Sequence, residues 1–194
     1  MSGYQANGRP ESSLADGAGG KFLVFSLPRC GSTTLRRLLN CHPRIRCLEE
    51  PFNPFNYDGK YLKQVTDTAA LDETLLDIWR SYDGIKHTWC PDGWPFIDPA
   101  FNAALLLKPN LKVVFLRRRN LLQRLVSVHI SNQTGVWGLF DQHDRKTVAD
   151  CAFAPMNIDI AKPQLDWDRR MLSDYRRRLV DNGSHFMELL YEDL

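Results

Sequence analysis

The chain has 194 residues, enough for one domain with its own core. Apolar residues make up 43% and charged residues 25%, and the formal net charge is +2. This is the balance of a soluble globular domain, too mild to mark a nucleic-acid binder, and no apolar run approaches the ~18–20 residues of a bilayer-crossing helix.

The first twenty residues are rich in Gly and Ser and lack the basic start and apolar stretch of a secretory signal. They read as a flexible tail over residues 1–20. The run "KFLVFSL" then predicts a short strand buried on both faces. From Ser32 the apolar period becomes helical through Leu35, Leu38 and Leu39, with Ser32 or Thr33 as the cap and Pro43 closing the segment. "RIRCLEE" suits a second short strand, and "PFNPFNYDGK" reads as loop. Leu71, Leu75, Ile78 and Trp79 share a face in a helix over 70–82, and Gly84 ends it. "IKHTW" predicts a strand, 99–107 a helix, "LKVVFL" a second buried strand and "RNLLQRLVSVHIS" another helix. Residues 132–160 read as a long loop, 164–183 as a helix with Gly183 just past its end, and "HFMELLYEDL" as the start of a last strand.

This alternation predicts an α/β fold, a P-loop-like three-layer domain with a mainly parallel central sheet. Ligands in such folds bind at the carboxyl ends of the strands, where the arginine-bearing segments after Leu27 and Leu116 fall. Cys30, Cys41, Cys47, Cys90 and Cys151 are odd in number and form no CxxC pair, which predicts reduced thiols, a cytoplasmic location and no metal site.

The first of these loops, "LPRCGSTTL", leads from a strand into a helix, so its N–H groups offer a seat for an anion. It is not a nucleoside-triphosphate loop, because a single Gly31 is followed by no lysine. Cys30 and Arg36 have the spacing of a cysteine phosphatase, in which a thiolate attacks phosphorus and an arginine grips its oxygens. Changing Cys30 to Ser would abolish that chemistry.

The same loop resembles the 5′-phosphosulfate loop of sulfotransferases through Pro28, Arg29, Gly31, Ser32 and Thr33, with Cys30 where serine is usual. The resemblance implies 3′-phosphoadenosine 5′-phosphosulfate (PAPS) as donor, no metal, and transfer of a sulfuryl group to the hydroxyl of a carbohydrate or other small acceptor. Arg29 would then stabilise the transferring group, while Cys30, Gly31, Ser32, Thr33 and Thr34 line the 5′-phosphate site. "KVVFLRRRNLLQRLVSVHISNQTGVW" resembles the family's 3′-phosphate site, with Arg118 and Ser127 spaced as in the trehalose-type branch and Arg119 and Ser127 as in the aryl and steroid branch. Arg118 is preferred; Arg117 and Arg124 read as solvated charge. In "CLEEPFNP" the Glu-Pro pair resembles the carbohydrate-type enzymes and selects Glu50 as the base, ahead of Glu49 and His42. Lys86 in "GIKHTW" would face the donor, and Trp89, Trp94 and Phe96 are either an acceptor platform or core.

"YEDL" resembles the end of a sulfotransferase core strand, normally followed by a basic loop over the donor. The expected domain therefore spans 21–194 and looks truncated. The partners implied are PAPS, its bisphosphate product and the acceptor, without nucleic acid; an oligomer is compatible with the sequence. A non-catalytic nucleotide-binding module is the remaining rival.

Overall fold

The computed structural model describes residues 20–138 and 141–194, so the tail expected over 1–20 lies, Gly20 apart, outside the described residues. In chain order the elements are β1 (Phe22–Ser26), α1 (Ser32–Cys41), β2 (Cys47–Glu49), a 3-10 turn (Tyr57–Gly59), α2 (Lys60–Gln64), α3 (Thr68–Trp79) and β3 (Gly84–Thr88). They continue with α4 (Ala100–Leu106), β4 (Lys112–Arg117), α5 (Leu121–Thr134), α6 (Gln142–Ala149), α7 (Ile158–Asp181), β5 (Phe186–Leu190) and a final 3-10 turn (Tyr191–Asp193).

The strands form one sheet in the order β2-β3-β1-β4-β5, and every pairing is parallel. The expected α/β architecture is therefore present. β1 lies at the centre, with Leu23 opposite both Ile85 and Val113. This is why its residues are apolar without alternation: Leu23, Val24 and Phe25 are fully buried. Burying each such side chain contributes about 1.5–3 kcal/mol. Phe25 stacks on His87 and Trp89 and meets the edge of Tyr175 from α7, so the sheet and its longest helix share one core.

In this strand order the right-handed crossovers general to parallel sheets put α1 on one face and the helices after β2, β3 and β4 on the other. The chain thus leaves β1 and β4 in opposite directions. The crevice between their carboxyl ends is the topological switch point, the place where such sheets bind ligands.

Several stretches depart from the sequence reading. Residues 142–149 are helix, and α7 begins at Ile158 rather than 164, carrying Pro163 inside it. Side-chain caps make both starts: Asp141 accepts from the Asp144 N–H at 2.8 Å and Asn157 from the Asp159 N–H at 2.9 Å. The YEDL segment is a 3-10 turn rather than strand. Finally, neither Ser32 nor Thr33 caps α1: the N-cap is Gly31, and no side chain makes a capping hydrogen bond at the helix start. α3 and α5, by contrast, are capped by Asp67 and Asn120.

Candidate active site

The loop from β1 to α1 turns on two left-handed residues, Arg29 (φ 66) and Gly31 (φ 83). For arginine that backbone is strained, and such strain gathers at functional sites. Gly31 is required for a second reason, since a Cβ there would lie 2.4 Å from a ring carbon of Tyr191. The first N–H groups of α1 have no partner within the helix, and without a side-chain cap they remain open to an anion. Of the expected phosphate ligands, Ser32 is buried and Thr34 exposed, while the Thr33 hydroxyl accepts from Lys86 at 2.8 Å.

Cys30 does not fit the phosphatase alternative. It is fully buried, and that burial pushes its thiol up to about 12. Arg36, its expected partner, donates instead to the Cys47 carbonyl at 3.1 Å and pairs with Glu49 at 3.1 Å. The low-pKa thiolate and the arginine grip are both missing, so that reading is corrected.

The second cluster meets the first. The Nε of Arg29 donates to the Ser127 hydroxyl at 2.9 Å, and its guanidinium also reaches the Trp137 carbonyl. Arg118 donates to the Arg29 carbonyl at 3.4 Å, and its guanidinium lies 4.5 Å from the centre of the Tyr191 ring. The Nε of Arg118 is buried without a partner among the described residues. Burial, and then the charge of Arg118, lowers the Arg29 pKa. Two adjoining guanidiniums, an orphaned N–H and an uncapped helix start are what an anion would relieve. Arg119 points elsewhere: its side chain lies 3.9 Å from Asp193.

Arg124 is not the solvated charge that the sequence suggests, whereas Arg117, its side chain 41% exposed, faces solvent beside an acidic partner. Arg117 pairs with Glu188 at 2.9 Å. Arg124 is only 3% exposed, holds the fully buried Asp168 of α7 and donates to the Pro28 carbonyl at 3.3 Å. It braces the loop from behind.

The candidate bases lie across the loop. Glu50, also left-handed at φ 36, accepts from Thr88 at 2.6 Å, Asn53 at 2.7 Å and Lys86 at 2.8 Å. Burial pushes its carboxyl up, but the Lys86 charge together with hydrogen bonds from Lys86, Thr88 and Asn53 outweighs burial and holds it below the ordinary carboxylate value. Glu49 is shared by Lys86 and Arg36. His42 is exposed, and its Nδ1 accepts from the Arg44 N–H at 3.2 Å in its own turn. Trp89 and Phe96 are core, at 0% and 4% exposure, whereas Trp94 is half-buried.

A cavity of about 480 Å³ opens beside Pro28, with Leu27, Cys90, Val128, Ala161 and Trp167 among its walls. Among the described residues no cluster of His, Cys, Asp or Glu is placed to hold a metal, and no helix is long and apolar enough to cross a membrane.

Tyr191 and Glu192 also border this loop, a placement that sequence reasoning missed. Glu192 accepts from the N–H groups of Arg119 at 3.0 Å and Asn120 at 3.2 Å, which pins the last turn to the start of α5 and lays Tyr191 over Gly31. A tyrosine followed by two acids is the available signal, but strand continuation hid it.

A parallel sheet whose switch point joins an open helix start to an arginine–serine pair defines an α/β domain built for a ligand with anionic groups. The model of the Sulfotransferase family matches residues 22–194, and the chain belongs to that family. Nodulation protein H of Rhizobium tropici is 26% identical over 179 residues, covering 89% of this chain and 68% of the relative. Nodulation protein H of Rhizobium meliloti (strain 1021) is 31% identical over 121 residues, covering 60% of this chain and 49% of the relative. A second Rhizobium meliloti Nodulation protein H is 30% identical over 124 residues, with the same coverage of 60% and 49%. These matches span about half the length of the two Rhizobium meliloti proteins.

Proposed function

We propose that the chain transfers a sulfuryl group from PAPS to a hydroxyl of a carbohydrate or other small acceptor. The observation that carries the reading is the junction at Arg29: one guanidinium reaches from the 5′-phosphate loop to Ser127 of α5, with Arg118 beside it. A donor with phosphate at both ends of a nucleoside needs two anion seats a short distance apart. The Tyr191 ring lies between Arg118 and Gly31, beside both parts of the proposed donor site.

In this mechanism Glu50 takes the proton from the acceptor hydroxyl as its oxygen bonds to sulfur. The sulfur–oxygen bond to the 5′-phosphate breaks on the opposite side. Arg29 and the first N–H groups of α1 receive the charge that grows on the leaving phosphate, a contribution of about 3–4 kcal/mol per well-aimed donor. Thr33 fixes the loop to Lys86, and Arg118 with Ser127 holds the 3′-phosphate. The cavity beside Pro28 is the acceptor's place, because Pro28 precedes Arg29 and Cys90 follows closely on Thr88, the partner of Glu50.

Calorimetric titration with adenosine 3′,5′-bisphosphate beside plain AMP tests the reading. The expected result is bisphosphate binding at least about tenfold tighter than AMP. Equal, negligible heats for the two ligands overturn the two-seat reading.

A further inference from the structure

The ammonium of Lys86 touches both halves of the site. It donates to the Thr33 hydroxyl in the first turn of α1 at 2.8 Å and lies 2.8 Å from Glu50, while also holding Glu49. Its side chain is only 3% exposed, so its partners are chiefly these protein groups. We propose that Lys86 is a positioning residue that ties the readiness of Glu50 to accept a proton to occupancy of the anion loop. With the loop empty the ammonium holds Glu50; with an anion seated it turns toward the anion and releases the carboxylate. The inference rests on the sulfotransferase reading and adds to it a switch worked by the donor.

The surroundings suit this role. Lysine carries three donors on a flexible stem and can redistribute them over a short distance, which a guanidinium fork cannot. Neither carboxylate is stranded by the turn. Glu49 keeps Arg36 at 3.1 Å, and Glu50 keeps Thr88 and Asn53. The charged groups facing Glu50 are Lys86 from β3 and Glu49 from β2, with Arg36 from α1 behind Glu49. The other titratable neighbours stay uncharged near neutral pH. Burial pulls His87 down to about 4 and pushes Cys90 up to about 12. Cys47, beside Lys86, and Tyr57, near Glu49, are likewise pushed up to about 12. Lys86 is therefore the cation that decides how tightly Glu50 holds its charge. Once it turns, burial is left as the dominant influence and favours a proton on Glu50.

An arriving anion also repels Glu50 directly, without help from Lys86, so the test must separate the two effects. Carboxyl-labelled glutamate allows the titration of Glu50 to be followed by NMR in the free protein and with saturating adenosine 3′,5′-bisphosphate. The midpoint is expected to rise by about one pH unit or more on binding in the wild type. In Lys86→Met it should start high and move little further. No movement in the wild type overturns the proposal, and so does an equal rise in Lys86→Met. Should that variant not fold, Glu49→Gln serves. The free-protein midpoint falls in any case because a facing like charge is lost, so the readout is the rise on binding, which should exceed the wild-type rise because Lys86 then holds Glu50 as its single carboxylate. A rise on binding no larger than in the wild type overturns the idea. Calorimetry on the same samples keeps the two levels apart. Absent bisphosphate binding sinks the sulfotransferase reading and this inference with it; binding with a motionless Glu50 sinks the inference alone.

Discussion

At the residue scale, the loop depends on one glycine that serves two constraints at once. Gly31 is left-handed, and a Cβ there would strike the Tyr191 ring. Gly31→Ala should therefore cost about 1–3 kcal/mol from backbone strain alone. For a domain of this size that corresponds to a fall in Tm of about 2–12 °C, measurable by thermal unfolding, and bisphosphate affinity should fall with it. A variant that melts and binds like wild type removes Gly31 from the site. The glycine was legible in the sequence because it stands between an apolar strand and a hydroxyl-rich helix start. Tyr191 was not, because its contact with Gly31 depends on a turn that Glu192 holds through backbone N–H groups on another element. Pairwise geometry of that kind leaves no period in the sequence. Arg124 was misread for the same reason: its partner Asp168 lies on a helix 44 residues away.

At the scale of elements, the Arg124–Asp168 pair joins α5 to α7 in the interior, and Gln164 donates to Asp168 at 2.9 Å. Removing one partner strands a buried charge. Asp168→Ala should cost about 3–5 kcal/mol in chemical denaturation, whereas Arg124→Met combined with Asp168→Leu should cost far less. Equal losses in the two variants would mean that packing, not charge, is at stake. The strands and most helices were legible from apolar period and length. The segment from 142 to 163 was not. α6 has no buried residue, and the first turn of α7, up to Pro163, buries only Ala161, so these stretches start on the Asp141 and Asn157 caps rather than on an apolar stripe, which α7 acquires only further on through Leu172, Tyr175 and Leu179. α1 starts without a side-chain cap, as the shorter α2 and α4 do, whereas α3 and α5 are capped by Asp67 and Asn120.

At the scale of the whole molecule, stability should respond to acid in two stages. His87 is 1% exposed on the central sheet, with its Nε2 2.7 Å from Asn102 Oδ1, and burial lowers its pKa from 6.5 to about 4. As pH falls through that window the unfolded chain takes up a proton that the native chain refuses, so the folded state loses on the order of 3 kcal/mol. Glu50 acts lower. Its depressed carboxyl contributes stability above the ordinary carboxylate value and loses it as pH falls through its folded value. Urea midpoints measured across the acid range should slope in both windows, and His87→Gln should flatten only the upper one; an unchanged upper slope would clear His87 of the effect. The cover that Tyr191 lays on Gly31 also has a consequence in time. On the ribosome the loop emerges early, but the ring that completes it follows about 160 residues later, and at ~5–20 residues per second that is a wait on the order of ten seconds. β5, which carries the turn, can pair only with β4, itself docked on β1. The loop therefore stays unfinished until β5 has joined the sheet, and on the proposed reading a chain shorter than that would lack its nucleotide seat.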